Sequence, residues 1–379
     1  MENFIAYNPT KLHFGKNVVR RLGKAVSEYG DKVLLIYGQG SIKRNGIYDT
    51  VMQQLVGIGA EVTEFSGIRP NPVIEDVDAA ARLGRDKGVD VIVAVGGGSV
   101  CDSAKVISVT IPVTHSGWDF YAGTAKPRKA VPLITVLTLA ATGSEMNSFA
   151  VVQNNRTRQK LGWGHELLHP RQSFLDPQYT FTVPRDYTAY GIADLIAHCL
   201  EAFFGEGDAP LSDKFVYAII HEAVENGKPL LENPRDYELR ARIMYAATEA
   251  LNTMTFNGRR SGDWGVHDIG HVLSLLYDIP HGASLSLVYP AWFKFYKNKI
   301  PARIAELGRH VFGVDGPEQT IDAFESFFKS IECPVRLSEL GIGKDKKEEI
   351  IEVMALNEVS GEHHRIPPEA YPELVELFL

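Results

Sequence analysis

The chain has 379 residues, enough for two domains at roughly 100–200 residues each and for a core that needs no staples. Its 45% apolar and 23% charged content is ordinary for a globular protein, and a net charge of −8 without a dense Lys/Arg block argues against a nucleic-acid surface. Three cysteines, Cys101, Cys199 and Cys333, form no CxxC pair, which argues against a disulfide framework and for a reducing compartment.

The opening segment, MENFIAYNPTKLHFGKN, lacks the charged start and apolar stretch of a signal peptide. No apolar run approaches the roughly 20 residues of a membrane span, so a cytoplasmic protein is expected. Strands are predicted at Lys32–Tyr37, Glu61–Phe65, Val89–Val95 and Leu133–Thr138, with helices between them at Asn45–Leu55 and Asp76–Lys87. This alternation predicts a Rossmann-like α/β domain with a parallel sheet covered on both faces. The segment Ser173–Pro184 is rich in turn formers and divides the chain, giving expected domains of 1–184 and 185–379. Beyond it the pattern turns helical, with helices predicted at Tyr187–Phe204, Asp213–Asn226, Asp236–Thr255, Val266–Leu276, Ser284–Lys297 and Ile300–Phe312, and no clear strand.

Three loops of the first half follow strands. In VDVIVAVGGGSVCDSAK a strand runs into Gly96-Gly97-Gly98-Ser99 and then a helix beginning near Val100. Backbone N–H groups and a helix N-terminus there suit a pyrophosphate, although the motif is not GxGxxG and also serves tight strand–helix packing. Gly38-Gln39-Gly40-Ser41 follows the first strand without an acid for a ribose 2′-hydroxyl, and Lys43 and Arg44 come next. That turn suits the 2′-phosphate of NADP, or is an ordinary solvated helix start. The hydroxyls of Thr138–Glu145 line a groove, or Thr142 or Ser144 caps the next helix.

The second half carries Asp194 and His198 in GIADLIAHCLE, and His267 and His271 in WGVHDIGHVLSLL. Residues four apart share a helix face. His281 follows Pro280, where a turn swings the ring back. Each pair alone is more often a polar accident, but five candidate ligands in strongly apolar segments favour a metal, because buried carboxylates and imidazoles need partners. Three imidazoles and a carboxylate suit Zn²⁺ or Fe²⁺. His363 and His364 sit in a polar loop and are expected to be solvated; His13, His115, His165, His169, His221 and His310 lack this context.

The motifs PTKLHFGK, GGGSVCDSAK, ATGSE, LDPQYTFTVP, DLIAH and the HxxxH-x9-HG pattern occur in the order of one family. The chain resembles the iron-containing, group III alcohol dehydrogenases nearly end to end. DWGVHDIGH and ENGKPLLENPRDYELRARIMYAAT look most like the branch of NADPH-dependent butanol dehydrogenases and broad-range aldehyde reductases. The resemblance implies metal ligation by Asp194, His198, His267 and His281, with His271 a non-ligand near nicotinamide and substrate. It implies that Gly97, Gly98 and Ser99 hold the pyrophosphate, with Asp102 on the nicotinamide side. Thr138, Thr142, Ser144, Lys160 and Asn71 would line the rest of the groove. Gln39 stands where NAD-preferring relatives carry an acid, and the metal is iron or zinc. A homodimer, formed through the N-terminal strand, is also implied.

The expected activity is interconversion of primary alcohols and aldehydes by hydride transfer with NADP(H), mainly as aldehyde reduction. Apolar residues at Phe149, Trp264 and Leu276 suggest an unbranched or aromatic aldehyde. A dehydroquinate-synthase-like lyase would need a Lys/Arg-rich site near the metal, and residues 250–285 supply only Arg259 and Arg260. A non-catalytic nucleotide sensor would have no use for four ligands and His271.

Overall fold

Lys32–Tyr37 shows why the first half makes a sheet with two covered faces. Leu34 and Ile36 point into one apolar layer, while Val33, Leu35 and Tyr37 point into the other, and all five are buried. The computed structural model describes residues 1–379 and divides into two units, Tyr7–Val183 and Met1–Ala6 with Pro184–Leu379.

In the first unit, β1 (Lys11–Phe14) is followed by β2 (Lys32–Tyr37), α1 (Ile47–Gly57), β3 (Glu61–Phe65), α2 (Ile74–Lys87), β4 (Val91–Gly96) and α3 (Gly98–Thr110). Then come β5 (Leu133–Leu137), the hairpin strands β6 (Phe149–Asn154) and β7 (Gln159–Gly164), and β8 (Gln172–Leu175). The sheet order is β1-β8-β5-β4-β2-β3, parallel throughout. Tyr37 pairs in register with Val95, and Gly96 with Leu137, so the loops after β2, β4 and β5 leave the same edge. Ligands of open parallel sheets gather at that edge.

The first half and the chain start differ from the sequence expectation in four places. The four expected strands form, but β1 and β8 complete a six-stranded sheet. Each is only four residues long, and β8 lies partly within the segment taken for a divider. The β6–β7 hairpin was not anticipated. The helix after the glycines begins at Gly98 rather than Val100. Finally, the first six residues cluster with the helical unit, where the Glu2 N–H donates to the Gly258 carbonyl and the Glu2 carboxylate pairs with Arg260.

The second unit contains α4 (Arg185–Phe203), α5 (Pro210–Glu232), α6 (Tyr237–Ala250), α7 (Gly265–Tyr277), α8 (His281–Tyr296) and α9 (Pro301–Phe312). It continues with α10 (Pro317–Ser330), α11 (Lys347–Leu356) and α12 (Tyr371–Phe378), which the sequence reading left unassigned. Every residue of α4 from Gly191 to Phe203 is buried. A helix that is apolar on all sides belongs in a core, and α4 packs against α5, α6 and α8. Asp194, His198 and Glu201 interrupt its apolar surface at i, i+4 and i+7, a single stripe. No helix is long and apolar enough to cross a membrane.

Candidate metal centre and nucleotide cradle

The helical unit brings the predicted ligands to one carboxylate oxygen. Asp194 Oδ1 lies 3.6 Å from His198 Nε2, 3.6 Å from His281 Nε2 and 4.0 Å from His267 Nε2. Ligand atoms of Asp194, His267 and His281 all lie within 4.8 Å of one another, and His198 joins through Asp194 and through its ring, 4.9 Å from that of His267. A tetrahedral ion with bonds of roughly 2.1 Å sets its ligand atoms about 3.4 Å apart. The distances to Asp194 are near that spacing, and His198, outside the mutually close set, would have to draw in for all four to share one ion.

The local folding explains the convergence. Asp194 and His198 are one turn apart on α4, and His267 sits in the first turn of α7. Pro280 ends the preceding turn, so His281 is the first residue of α8. A Cβ on Gly282 would lie 1.9 Å from the Tyr190 carbonyl oxygen, so only glycine lets α8 begin this close to α4. Burial, with His267 facing it, pushes the His198 imidazole well below its ordinary pKa, and burial holds His267 at about 3. Both are neutral at physiological pH, as metal ligation requires. His267 Nε2 is buried without a hydrogen-bond partner, whereas Nδ1 bonds Glu201 Oε1 at 2.7 Å. A divalent cation would complete that nitrogen.

His271 is buried one turn after His267, its ring stacked 5.4 Å from that of His281. It stands beside the cluster and outside the mutually close set. His364, expected to be solvated, is half-buried among Phe204, Trp292 and Tyr296, and burial lowers its pKa to about 4. The end of α4 and the aromatic face of α8 supply that packing, a long-range contact that the sequence did not show.

In the sheet unit, the candidate cofactor residues fall along the strands' C-terminal edge. Gly38, Gln39 and Gly40 follow β2, and Ser41 opens a short helix. Lys43 is committed elsewhere: it lies 3.5 Å from Glu64 and over the rings of Tyr37 and Tyr48, both of which donate to Glu64. The Arg44 guanidinium is left near Gly40, 4.0 Å from where a Cβ would stand.

Gly97 precedes α3, and Gly98 and Ser99 form its first turn. A Cβ on Gly98 would stand 2.5 Å from Thr142 Cγ2 and 2.6 Å from Thr142 Oγ1, which explains the glycine. Thr138 follows β5, its N–H donating to the Gly96 carbonyl. Thr142 Oγ1 accepts from the Ser144 N–H at 3.1 Å, while Ser144 Oγ donates to Asp102 Oδ1 at 2.5 Å. Asp102 Oδ2 also accepts the Val151 N–H, and burial raises its pKa. Ser99 Oγ donates to the Pro70 carbonyl, and Lys160 Nζ donates to Asn71 Oδ1 at 2.8 Å, so residues 70–71, 99 and 160 join this group. Sequence reasoning missed Lys105, wholly buried, whose Nζ donates to Asn147 Oδ1 and the Phe149 carbonyl and so braces the 142–149 loop. Its AK context gave no sign of that depth.

Comparison with known proteins agrees along the whole chain. Residues 9–177 match the family model for iron-containing alcohol dehydrogenase, and residues 188–369 match that for the C-terminal part of Fe-containing alcohol dehydrogenases. The chain is 39% identical over 378 residues to a probable NADH-dependent butanol dehydrogenase 1 of Bacillus subtilis, covering 97% of each. It is 34% identical over 352 residues to the NADPH-dependent aldehyde reductase YqhD of Escherichia coli, covering 90% of each. The crystal structure of NADH-dependent butanol dehydrogenase A from Thermotoga maritima superposes with a TM-score of 0.96 at 38% identity, covering 100% of this chain and 99% of that one. With both halves matched in order and the histidine cluster gathered on Asp194, the chain belongs to the iron-containing alcohol dehydrogenase family of oxidoreductases.

Proposed function

We propose that the protein reduces aldehydes to primary alcohols with a nicotinamide cofactor, preferring NADP(H), in the cytoplasm. The observation that carries the reading is the convergence of three imidazoles on Asp194 Oδ1, together with the unpartnered Nε2 of His267. Asp194, His198, His267 and His281 would hold Fe²⁺ or Zn²⁺, since neither donor set nor geometry excludes either ion. When bound there, the cation supplies Lewis acidity toward a substrate oxygen. The reduced nicotinamide supplies the hydride.

The chain's own residues do the rest. Residues 185–379 carry the metal and substrate, and residues up to 184 the dinucleotide. Backbone N–H groups at Gly97, Gly98 and Ser99, at the N-terminus of α3, bind the pyrophosphate. Asp102, Thr138, Thr142 and Ser144, with Asn71 and Lys160, orient the nicotinamide half. His271 gives its proton to the oxygen of the nascent alcohol. The names of relatives, a butanol dehydrogenase and an aldehyde reductase, support butanal and other aldehydes as substrates. The lyase alternative is disfavoured, because Arg259 is engaged with Asp213 and Arg260 with Glu206 and Glu2. A homodimer through β1 is supported by that strand's place at the sheet edge, where its exposed Phe14 lies.

The cofactor preference rests on the Gly38–Ser41 turn. No carboxylate stands at Gln39 to repel a 2′-phosphate, and Arg44 lies beside Gly40. Relatives are named for either cofactor, so the turn itself supports the choice. Butanal reduction assayed with NADPH and NADH on metal-defined protein tests it. NADPH should give the higher kcat/KM, and Gln39→Asp should erase or reverse that preference through loss with NADPH. Equal efficiency in the wild type, or no response to the substitution, refutes it.

A further inference from the structure

Glu201 is the third polar residue of the α4 stripe, and neither the sequence motifs nor the ligand set uses it. It is 1% exposed. Its Oε1 accepts from His267 Nδ1 at 2.7 Å and from the His267 backbone N–H at 3.2 Å, and its Oε2 accepts the Trp264 N–H. Its carbonyl oxygen takes the Asp263 N–H at 3.0 Å. One residue thus fastens the whole turn that leads into α7. Trp264 is held there at φ 65°, a left-handed conformation that a bulky side chain adopts only under constraint.

Glu201 has no lysine or arginine partner; it faces the neutral imidazole of His267, a hydrogen-bond donor without charge. A buried carboxylate needs positive charge nearby, and a cation on the far nitrogen of that ring would supply it. We propose that Glu201 is a positioning residue for the metal. By accepting the hydrogen bond from Nδ1–H of His267, it fixes the tautomer whose Nε2 carries a lone pair toward Asp194, and it clamps the Trp264–His267 turn that sets the ring's direction. This inference rests on the metal reading above.

The test is Co²⁺ titration against a competing chelator, read through the visible ligand-field bands, with reduced-cofactor binding and thermal unfolding of the metal-free protein measured in parallel. Glu201→Gln can accept through one atom only, so either His267 Nδ1 or the Trp264 N–H loses its acceptor. It should weaken Co²⁺ binding roughly 10–100-fold and shift the bands, with cofactor affinity unchanged. In a His267→Ala background the same substitution should add less than about twofold, because Glu201 acts through that ring. Should Glu201→Gln fail to fold, Glu201→Asp carries the test, with a smaller loss expected. Wild-type Co²⁺ affinity in the folded variant overturns the proposal, as does a loss that multiplies in full with that of His267→Ala. A wild-type protein that takes up no Co²⁺ would overturn the metal reading instead.

Discussion

Replacing Gly98 by alanine would separate the cofactor site from the metal site. The added Cβ would stand 2.5 Å from Thr142 Cγ2, 2.6 Å from Thr142 Oγ1 and 3.1 Å from Thr142 Cβ. Contact between such atoms is comfortable at roughly 3.5–4.0 Å, so the Thr142 loop and the start of α3 must part by about 1 Å. Rotating the threonine cannot relieve this, because its Cβ is already crowded and its Oγ1 holds the Ser144 N–H. Overpacking of this kind costs about 1–3 kcal/mol. If that falls on the bound geometry, cofactor affinity drops roughly 5–150-fold. Fluorescence titration of the reduced cofactor, beside metal analysis, measures it. Weaker cofactor binding with full metal content is expected. Wild-type affinity in a folded Gly98→Ala protein would refute the placement of the pyrophosphate at this turn.

His281→Ala and His271→Ala should part company: the first should lose metal and activity together by elemental analysis, while the second keeps its metal but loses turnover by roughly 10²–10⁴-fold. Metal loss in His271→Ala would mean that the two roles are exchanged. Burial brings Lys105 from 10.5 to about 8. Between those values the unfolded chain binds the extra proton, so this group makes stability rise with pH from about 8 to about 10.5. Urea unfolding of Lys105→Met across that range should show a flatter rise than the wild type; parallel curves would contradict the depressed pKa.

How much of this was legible in the sequence depended on periodicity and on chemistry kept close in the chain. Lys32–Tyr37 was readable to the residue because its apolar run ends at a turn former, and Glu61–Phe65 because its β-branched and aromatic residues are bounded by turn formers. β1 and β8 were not, since four-residue strands such as KLHF and QSFL carry too little pattern, and their pairing partners are distant in sequence. The Asp194/His198 and His267/His271 spacings announced a cluster, and the structure gathers three histidines on Asp194. Glu201 escaped notice although it ends the DLIAHCLE run. Its signal was the i+7 position on the ligand face, and its meaning lies in a contact with His267, 66 residues away. Lys43 looked like a free cation for a 2′-phosphate; only the folded sheet brings Glu64 alongside it.

The central claim, a catalytic cation held by Asp194, His198, His267 and His281, is tested most directly by metal removal and titration. The protein would be stripped by chelation, and Fe²⁺ or Zn²⁺ added back while oxidation of the reduced cofactor by butanal is followed. Activity should vanish on stripping and return in proportion to bound ion, saturating at about one per chain, as a single cluster of this ligand number requires. Undiminished turnover in verified metal-free protein would contradict it.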